Sequence, residues 1–373
     1  VICYWLGSVA LWSKFIGVMI ADTAPAEAVP QSAASKRPFD EATSEETDHH
    51  CKQGLHSGYE ISDREVFERI LKHDSAKERA YRSRQGERKT VCHWGQRKLM
   101  LAEVEFLSQF HGQASTVVYA GAAPGLHVPK LAELFQSLRF VLVDPRPMAD
   151  TVATCRAASD NRIEVRQQLF TEEVAREFVG LDAVLISDVR TSDDVREPSE
   201  EEVKADMELQ RAWHKAMQPV ASSLKFRLPW GSGETAYLEG DIFLPVWGPV
   251  TTTECRLFVR RGAGSRTYNN GRYERQMFHF NTHQRIAKYK HGHMNFFKCS
   301  CYDCAAEVHI LTIYCRELRG QEDASSAGEV EKLSLELNKA CHRDHQHPRT
   351  LFDPNPDPEE RKSKIRKRQG TRK

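Results

Sequence analysis

The sequence predicts an α/β fold built on an open, largely parallel sheet, and three stretches of the chain support this prediction. The first is an apolar strand followed by a glycine-proline turn, residues 117–125, VVYAGAAPG. The other two are apolar strands that end in an acid, Val141-Leu142-Val143-Asp144 and Leu185-Ile186-Ser187-Asp188. In such sheets ligands lie beyond the carboxyl ends of the strands, so one cleft is expected to hold both acids.

The turn after the first strand indicates the kind of ligand. Gly121 and Gly125 lack Cβ atoms, so the backbone can bend sharply and a ligand can lie against it, with Asp144 placed to bind a ribose. Pro124 has no N–H to offer a pyrophosphate, which favours a ligand without phosphates, such as S-adenosylmethionine. The spacing alone leaves open a nicotinamide cofactor, and also a turn that merely joins strand to helix.

Strand and helix patterns alternate along the chain. Residues 64–88 are rich in charges and helix formers and predict a helix that acts as a lid or an appended element. Strands are predicted near 116–120, 139–144, 162–166, 183–187, 219–227, 240–246 and 253–260, and helices near 96–110, 127–137, 171–178, 200–217 and 303–318. Ser199 and Glu202 form a capping box for the helix at 200–217. This alternation predicts a right-handed, doubly wound sheet.

Composition limits the kinds of function that the chain can have. With 373 residues, of which 40% are hydrophobic, the chain can bury a large core. A formal net charge of +1 excludes a global cationic field, so any contact with nucleic acid must come from local basic patches. The 10 cysteines show no disulfide framework, so we expect reduced thiols in an intracellular protein, either cytoplasmic or nuclear.

The ends of the chain differ from its middle. We expect residues 1–58 to be an apolar leader followed by a disordered segment, residues 59–320 to be a single folded domain, and residues 321–373 to be a disordered basic tail. Residues 1–20 could form a membrane anchor or a signal segment, but we expect them to lie outside the working protein and expect no membrane association. The basic run at 361–368 is consistent with non-specific RNA binding, with a nuclear localisation signal, or with a solvent-exposed end that has no binding role.

Four charged residues stand where an apolar core pattern would not place them, namely Lys98, Asp188, Lys225 and Glu254. Lysines and acids rarely enter strand interiors unless they are paired. Each one alone is most simply a structural ion pair. Together, behind a cofactor loop, they predict a catalytic group.

The order of these elements resembles the RNA 2′-O-methyltransferases that use a Lys-Asp-Lys-Glu tetrad on a Rossmann-like sheet. Among these it resembles the poxviral family of cap-specific mRNA 2′-O-methyltransferases, which are also small subunits of the viral poly(A) polymerase. The matching stretches are residues 95–99, 117–127, 186–190, 197–199, 219–225, 254–257 and 273–274, and the resemblance covers about residues 93 to 316. It implies a single catalytic domain with the fold of the S-adenosylmethionine-dependent methyltransferases.

The resemblance implies methyl transfer from S-adenosylmethionine to the ribose 2′-hydroxyl of the first transcribed nucleotide of capped mRNA. Lys225 is the best candidate to accept or stabilise the hydroxyl proton. Its pKa, ordinarily about 10.4, is lowered by burial and by Lys98, and is raised by Asp188 and Glu254. The roles of general base and electrostatic stabiliser stay open for Lys225.

Other functions also stay open. They are 2′-O-methylation of uncapped ribosomal or transfer RNA, a non-catalytic RNA-binding subunit of a poly(A) polymerase, and, more distantly, an NAD-dependent oxidoreductase. Capped mRNA is the expected substrate, and the resemblance adds a poly(A) polymerase catalytic subunit as an expected partner.

The resemblance also implies which residues contact the cofactor. These are Gln96, Tyr119, Gly121, Ala123, Pro124, Gly125, His127, Asp144, Arg146, Phe170, Asp188 and Arg190. Taken alone, His127 would be a polar residue at a helix start and Phe170 a core residue.

A methylated guanine is positively charged and stacks between aromatic faces, while an acid accepts hydrogen bonds from its N1 and N2 edge. Trp230 and Glu274 match the family positions for these contacts, and Arg227 joins them as an RNA contact. The predicted set for the cap and RNA is completed by Tyr81 as the second stacking aromatic, with Tyr59 in reserve, and by Glu234. The family has its second acid where this chain has Ser232, so either Glu234 reaches in or cap selectivity is reduced.

A further cluster contains residue types that bind metals: His291, His293, Cys299, Cys301 and Cys304. Only Cys301 and Cys304 have a common ligand spacing, and no second pair accompanies them. We therefore expect buried thiols rather than a metal site.

Overall fold

The computed structural model describes residues 68–82, 95–158, 162–190, 198–249, 251–287, 289, 291–293, 301–320 and 327–341. The predictions made for residues 1–58, for Tyr59, for Cys299 and for the basic run at 361–368 lie outside these residues. Within the described ranges, no helix has the length and apolar character needed to cross a bilayer.

A seven-stranded sheet forms the centre of the fold. Its strands are β1 (Thr116–Ala120), β2 (Arg139–Val143), β3 (Ile163–Arg166), β4 (Ala183–Ser187) and β5 (Ala221–Phe226), together with β7 (Asp241–Phe243) and β8 (Cys255–Arg260). The order is β3-β2-β1-β4-β5-β8-β7. The first five strands pair in parallel, whereas β8 runs antiparallel to β5 and β7. The predicted Rossmann-like α/β fold is therefore confirmed, and each predicted strand lies in this sheet.

Eight α-helices are described: α1 (Gly95–Phe110), α2 (Val128–Leu134), α3 (Asp150–Ala158), α4 (Glu172–Arg176), α5 (Glu200–Met217), α6 (Asn270–His279), α7 (Tyr302–Arg319) and α8 (Ala327–Ala340). A short π-helix, Phe280–Gln284, continues directly from α6. The predicted capping box at the start of α5 is confirmed. The Ser199 hydroxyl accepts from the Glu202 backbone N–H at 3.2 Å, and the Glu202 carboxylate accepts from the Ser199 backbone N–H at 2.8 Å. These bonds satisfy donors that a helix start leaves without partners.

The helix predicted over residues 64–88 is wrong for the part that the structure describes. There the chain runs beside β7 and forms turns. The Leu71 backbone N–H donates to the Ile242 carbonyl at 2.7 Å, and the Leu244 backbone N–H donates to the Arg69 carbonyl at 2.8 Å. Pairing with the end of the sheet therefore outweighs the helix propensity of this sequence.

The disordered tail predicted over 321–373 is also wrong in part, because α8 lies within it. Val330, Leu333 and Leu337 lie on one side of α8 and are fully buried. Their spacing of three and four residues is that of an amphipathic helix. The many charged residues between them concealed this apolar stripe.

A small second sheet and α6 position part of the site. Strands β6 (Glu234–Leu238) and β9 (Ser265–Asn269), which were not predicted, pair antiparallel, and α6 follows directly. The Asn269 side chain caps α6 by accepting from the Arg272 backbone N–H at 2.8 Å. The Tyr273 hydroxyl donates to the Thr253 carbonyl at 2.6 Å. This bond fixes α6 beside the residues that precede β8.

Candidate active site

The carboxyl ends of three neighbouring strands bring the predicted residues together. The Gly121 backbone N–H donates to the Val143 carbonyl, and the Asp188 backbone N–H donates to the Ala120 carbonyl, both at 3.0 Å. Gly121, Asp144 and Asp188 therefore follow β1, β2 and β4 at one edge of the sheet. Gly121 has φ of +78°, and a Cβ there would lie 3.0 Å from the Asp188 backbone. Both its conformation and this close approach require glycine.

Asp144 supports the turn that follows β1. Its carboxylate accepts from the Ala123 backbone N–H at 3.0 Å and from the Arg146 backbone N–H at 2.8 Å. The Arg146 guanidinium also donates to it, at 2.9 and 3.0 Å. Asp144 is buried but the Arg146 side chain is about half exposed. Asp144 and Arg146, both predicted to contact the cofactor, therefore contact each other at the end of β2.

A buried acid links two of the predicted cofactor residues. The Tyr119 hydroxyl donates to Glu103 Oε1 at 2.5 Å, and His127 Nε2 lies 3.1 Å from the same oxygen. Burial lowers the pKa of His127, but Glu103 more than offsets this, so the pKa is raised overall. His127 Nδ1 is buried and has no hydrogen-bond partner among the described residues. This arrangement fits a polar ligand group against the turn.

The remaining predicted cofactor residues lie in different environments. Gln96 is exposed at the start of α1, and Pro124 is exposed after a cis peptide bond. Gly125 has φ of +68°. Phe170 is buried with its ring centroid 5.1 Å from that of Trp213. The structure thus places Phe170 in the core, as its apolar character alone would suggest.

The structure brings the four predicted catalytic residues together as two ion pairs. Lys98 Nζ lies 2.6 Å from Glu254 Oε1, and Lys225 Nζ lies 2.8 Å from Asp188 Oδ1. All four side chains are largely buried. Residues that are distant along the chain thus form one cluster at the carboxyl edge of the sheet.

Two arginines complete this charge cluster. Arg190 donates to Glu254 Oε2 at 2.8 Å. Arg256 donates to Asp188 Oδ1 at 2.6 Å and to the Ser187 carbonyl at 2.8 Å. Sequence reasoning did not identify Arg256 as a site residue, although it is a charged residue inside a strand, which is the signal that singled out Lys225.

The electrostatics of the cluster fix the charge of its acids. Burial raises the pKa values of Asp188 and Glu254, but the neighbouring cations outweigh it and hold both pKa values below the ordinary range. Lys225 and Arg256 act on Asp188, and Lys98 acts most strongly on Glu254. Burial lowers the pKa of Lys225 below its ordinary value, with Asp188 and Glu254 opposing this shift.

A cavity of about 750 Å³ opens beside this cluster. Lys225, Glu254 and Arg190 contribute to one part of its wall. Its lining also includes predicted cap and RNA residues, namely Tyr81, Arg227, Trp230 and Glu274. Glu234 is exposed at the start of β6 and is not among the lining residues. The structure therefore brings all the predicted RNA residues except Glu234 to one cavity with Lys225.

The two predicted stacking aromatics are accessible. Trp230 is 48% exposed and Tyr81 is 61% exposed. The Arg227 guanidinium lies 5.4 Å from the centroid of the Trp230 ring. The Tyr81 ring packs edge-on against Phe278, with centroids 5.3 Å apart. A planar ligand can therefore reach either ring.

The cysteine pair at the start of α7 is buried. The sulfur atoms of Cys301 and Cys304 lie 3.7 Å apart. Among the residues that the structure describes, no group of three or more His, Cys, Asp or Glu side chains could hold a metal ion.

The amino-acid sequence of this chain is similar to those of two named viral proteins. A cap-specific mRNA (nucleoside-2′-O-)-methyltransferase of Myxoma virus (strain Lausanne) is 30% identical over 218 residues, covering 52% of this chain and 62% of the relative. The protein of the same name from Fowlpox virus (strain NVSL) is 31% identical over 208 residues, covering 50% of this chain and 67% of the relative. The chain thus spans less than two thirds of the length of the Myxoma relative.

A structure of bluetongue virus VP4, described as a multifunctional RNA-capping production-line, aligns with a TM-score of 0.37 and 14% identity over 67% of this chain and 42% of that one. This likeness is too weak to bear on fold or function. The model of the family described as "Poly A polymerase regulatory subunit" matches residues 68–316. Because this match spans well over half of the chain, the chain belongs to the poly(A) polymerase regulatory subunit family.

Proposed function

We propose that this chain transfers a methyl group from S-adenosylmethionine to the ribose 2′-hydroxyl of the first transcribed nucleotide of capped mRNA. The observation that carries the proposal is the meeting of the Lys98–Glu254 and Lys225–Asp188 ion pairs beside the cavity that Trp230 lines. The names of the Myxoma and Fowlpox virus relatives support this choice of reaction and substrate.

The residues at the carboxyl edge of the sheet suit this cofactor. When bound, S-adenosylmethionine supplies a methyl group activated by its sulfonium. The turn at 121–125, Asp144 and His127 would hold it against the ends of β1 and β2. Asp188 joins this edge to the cavity, since it follows β4 and contacts Lys225.

In the proposed mechanism Lys225 accepts the proton of the 2′-hydroxyl. Its Nζ is held by Asp188 Oδ1, the same oxygen that accepts a hydrogen bond from Arg256. Burial favours the neutral amine, which is the form that can act as a base. Glu254 is held by Lys98 and Arg190 and maintains negative charge next to Lys225.

The rate of methyl transfer is expected to rise with pH through the pKa of Lys225, which burial lowers below its ordinary value. Only the unprotonated amine can accept a proton, and burial moves its formation to lower pH. The charged groups that face Lys225 are Asp188, Glu254, Arg190 and Arg256, and both acids stay ionised over this range. Single-turnover rates between pH 6 and pH 10, with a melting curve at each pH, check this. A rate that falls through the same pKa would assign Lys225 the charged, stabilising role.

Capped RNA is expected to be methylated faster than uncapped RNA of the same sequence, and Trp230→Ala is expected to remove most of the difference. Stacking of a base on an aromatic ring contributes about 1–3 kcal/mol, so kcat/KM for the capped RNA should fall by about 5- to 150-fold. The rate with uncapped RNA should change little. Initial rates with both RNAs measure this directly.

Leu181→Ala is the matched control, because Leu181 is similarly exposed, at 48%, and does not line the cavity. It should leave the preference for capped RNA intact. Equal rates of the unaltered protein with the two RNAs would contradict cap recognition and favour uncapped ribosomal or transfer RNA as the substrate.

We further propose a poly(A) polymerase catalytic subunit as a partner, which the description of the family supports. A purely non-catalytic subunit is the less favoured alternative, because it gives no reason for the two buried lysine–acid pairs beside a cavity.

The catalytic domain in this proposal includes α8, which packs with α1 and α7. The intracellular location stays a prediction.

A further inference from the structure

The backbone that carries Trp230 is held from two sides by carboxylates. The Trp230 backbone N–H donates to Glu200 Oε2 at 3.3 Å, and the Gly231 backbone N–H donates to Glu274 Oε2 at 3.2 Å. Glu200 begins α5, whereas Glu274 lies in α6. Two acids from separate helices therefore lie next to Trp230, and both line the same cavity as Trp230.

These two acids differ from the other acids of the cavity wall. Glu254 is engaged by Lys98 and Arg190, at 2.6 and 2.8 Å. Asp206 is buried more than one turn further along α5. Glu200 and Glu274 are thus the cavity acids that contact the backbone around Trp230.

The charges around Trp230 favour a flat cation. Arg227 lies 5.4 Å from the Trp230 ring and 2.6 Å from Glu200 Oε1. Glu200 and Glu274 thus place two carboxylates beside the indole, one of them paired with the Arg227 guanidinium. A cationic aromatic ring gains both from stacking on the indole and from this charge.

We propose that Glu200 reads the edge of the cap base, accepting a hydrogen bond from its N1–H or its N2 amino group. This inference rests on the proposed function, since it assumes that a 7-methylguanine stacks on Trp230. Glu200 and Glu274 together supply two anionic acceptors for the two adjacent donors of that edge. Hydrogen bonds to a charged acceptor are stronger than hydrogen bonds between neutral groups. Ser232 supplies no charge, and Glu234 does not line the cavity. Glu200 is therefore a specificity-determining residue.

The test compares two cationic probes in the full chain, 7-methyl-GDP and 7-methyl-ADP. Both stack and both carry the positive charge, but the adenine edge lacks the N1–H and N2 donors. Quenching of tryptophan fluorescence gives both affinities for the unaltered protein, for Glu200→Gln, and for Glu201→Gln. The last variant makes the same charge change at an adjacent exposed residue that does not line the cavity.

The unaltered protein should prefer 7-methyl-GDP, and Glu200→Gln should reduce this preference by about tenfold or more, the size of one hydrogen bond to a charged group. Glu201→Gln should keep it. If Glu200 only positions Trp230 or Arg227, both probes will weaken equally and the preference will not change, which overturns the inference. If the unaltered protein methylates capped RNA, the proposed function survives that result. If it also fails to distinguish capped from uncapped RNA, the proposed function itself fails.

Discussion

Replacing Lys225 by Ala is expected to lower the rate of methyl transfer by about 10²- to 10⁴-fold, the usual contribution of a positioned general base. The side chain lies 2.8 Å from Asp188 and lines the cavity, so its removal takes away the group that faces the substrate hydroxyl. RNA affinity should change little, because Arg227, Trp230 and Glu274 remain. Transfer of a labelled methyl group to capped RNA, measured under single-turnover conditions, gives the rate.

Lys215→Ala is the matched control for this change. It removes the same charge from an exposed position on α5, away from the cavity, and should leave the rate unchanged. Melting curves and RNA binding separate loss of chemistry from loss of structure. If Lys225→Ala kept the rate of Lys215→Ala, the mechanism proposed for the tetrad would be wrong.

Replacing Arg97 by Ala is expected to lower the free energy of unfolding by about 3–5 kcal/mol, the usual cost of breaking a buried ion pair from one side. Arg97 is fully buried in α1. It donates to both carboxylate oxygens of Glu307 in α7, one of them at 2.9 Å, and to the Ser334 hydroxyl at 2.8 Å. Its loss would leave the Glu307 charge buried without its cation. Urea unfolding followed by circular dichroism measures the change.

An exposed pair gives the comparison. Arg176 lies 2.7 Å from Glu172 on α4, and its side chain is 55% exposed. Surface pairs of this kind contribute about 0–1 kcal/mol. Arg176→Ala should therefore shift the urea midpoint only slightly. A similarly small shift for Arg97→Ala would show that the Arg97–Glu307 pair contributes little to the free energy of unfolding.

The central sheet was predictable because its strands are apolar and end in recognisable turns and acids. The second sheet was not, since Glu234–Leu238 and Ser265–Asn269 mix polar and apolar residues without a run that resembles a buried strand. Residues 68–82, the described part of the helix predicted over 64–88, were misread because helix formers dominate this stretch. The hydrogen bond of Leu71 to Ile242 in β7 depends on residues far along the chain. Only the tertiary structure supplies that contact.

The cluster of candidate site residues was predictable where residue type and position both stood out. Lys225 and Glu254 interrupt apolar strands, and Gly121 and Asp144 belong to a recognisable turn. Arg256 carried the same signal as Lys225. Glu103 and Glu200 could not be assigned from the sequence, because an acid on a helix is ordinarily solvated and only the structure shows what each contacts.

The position of α8 has a practical consequence for anyone who trims the gene. The family match ends at residue 316, and a recombinant fragment cut there would lose Ser334 and Asn338. The Ser334 hydroxyl donates to Glu307, and the Asn338 side-chain carbonyl accepts from Arg97, the residue directly before Lys98. Such a fragment would expose the apolar surfaces of α1 and α7 that α8 covers. It would also loosen the start of α1, which carries Lys98. Expression plasmids should therefore extend through residue 341.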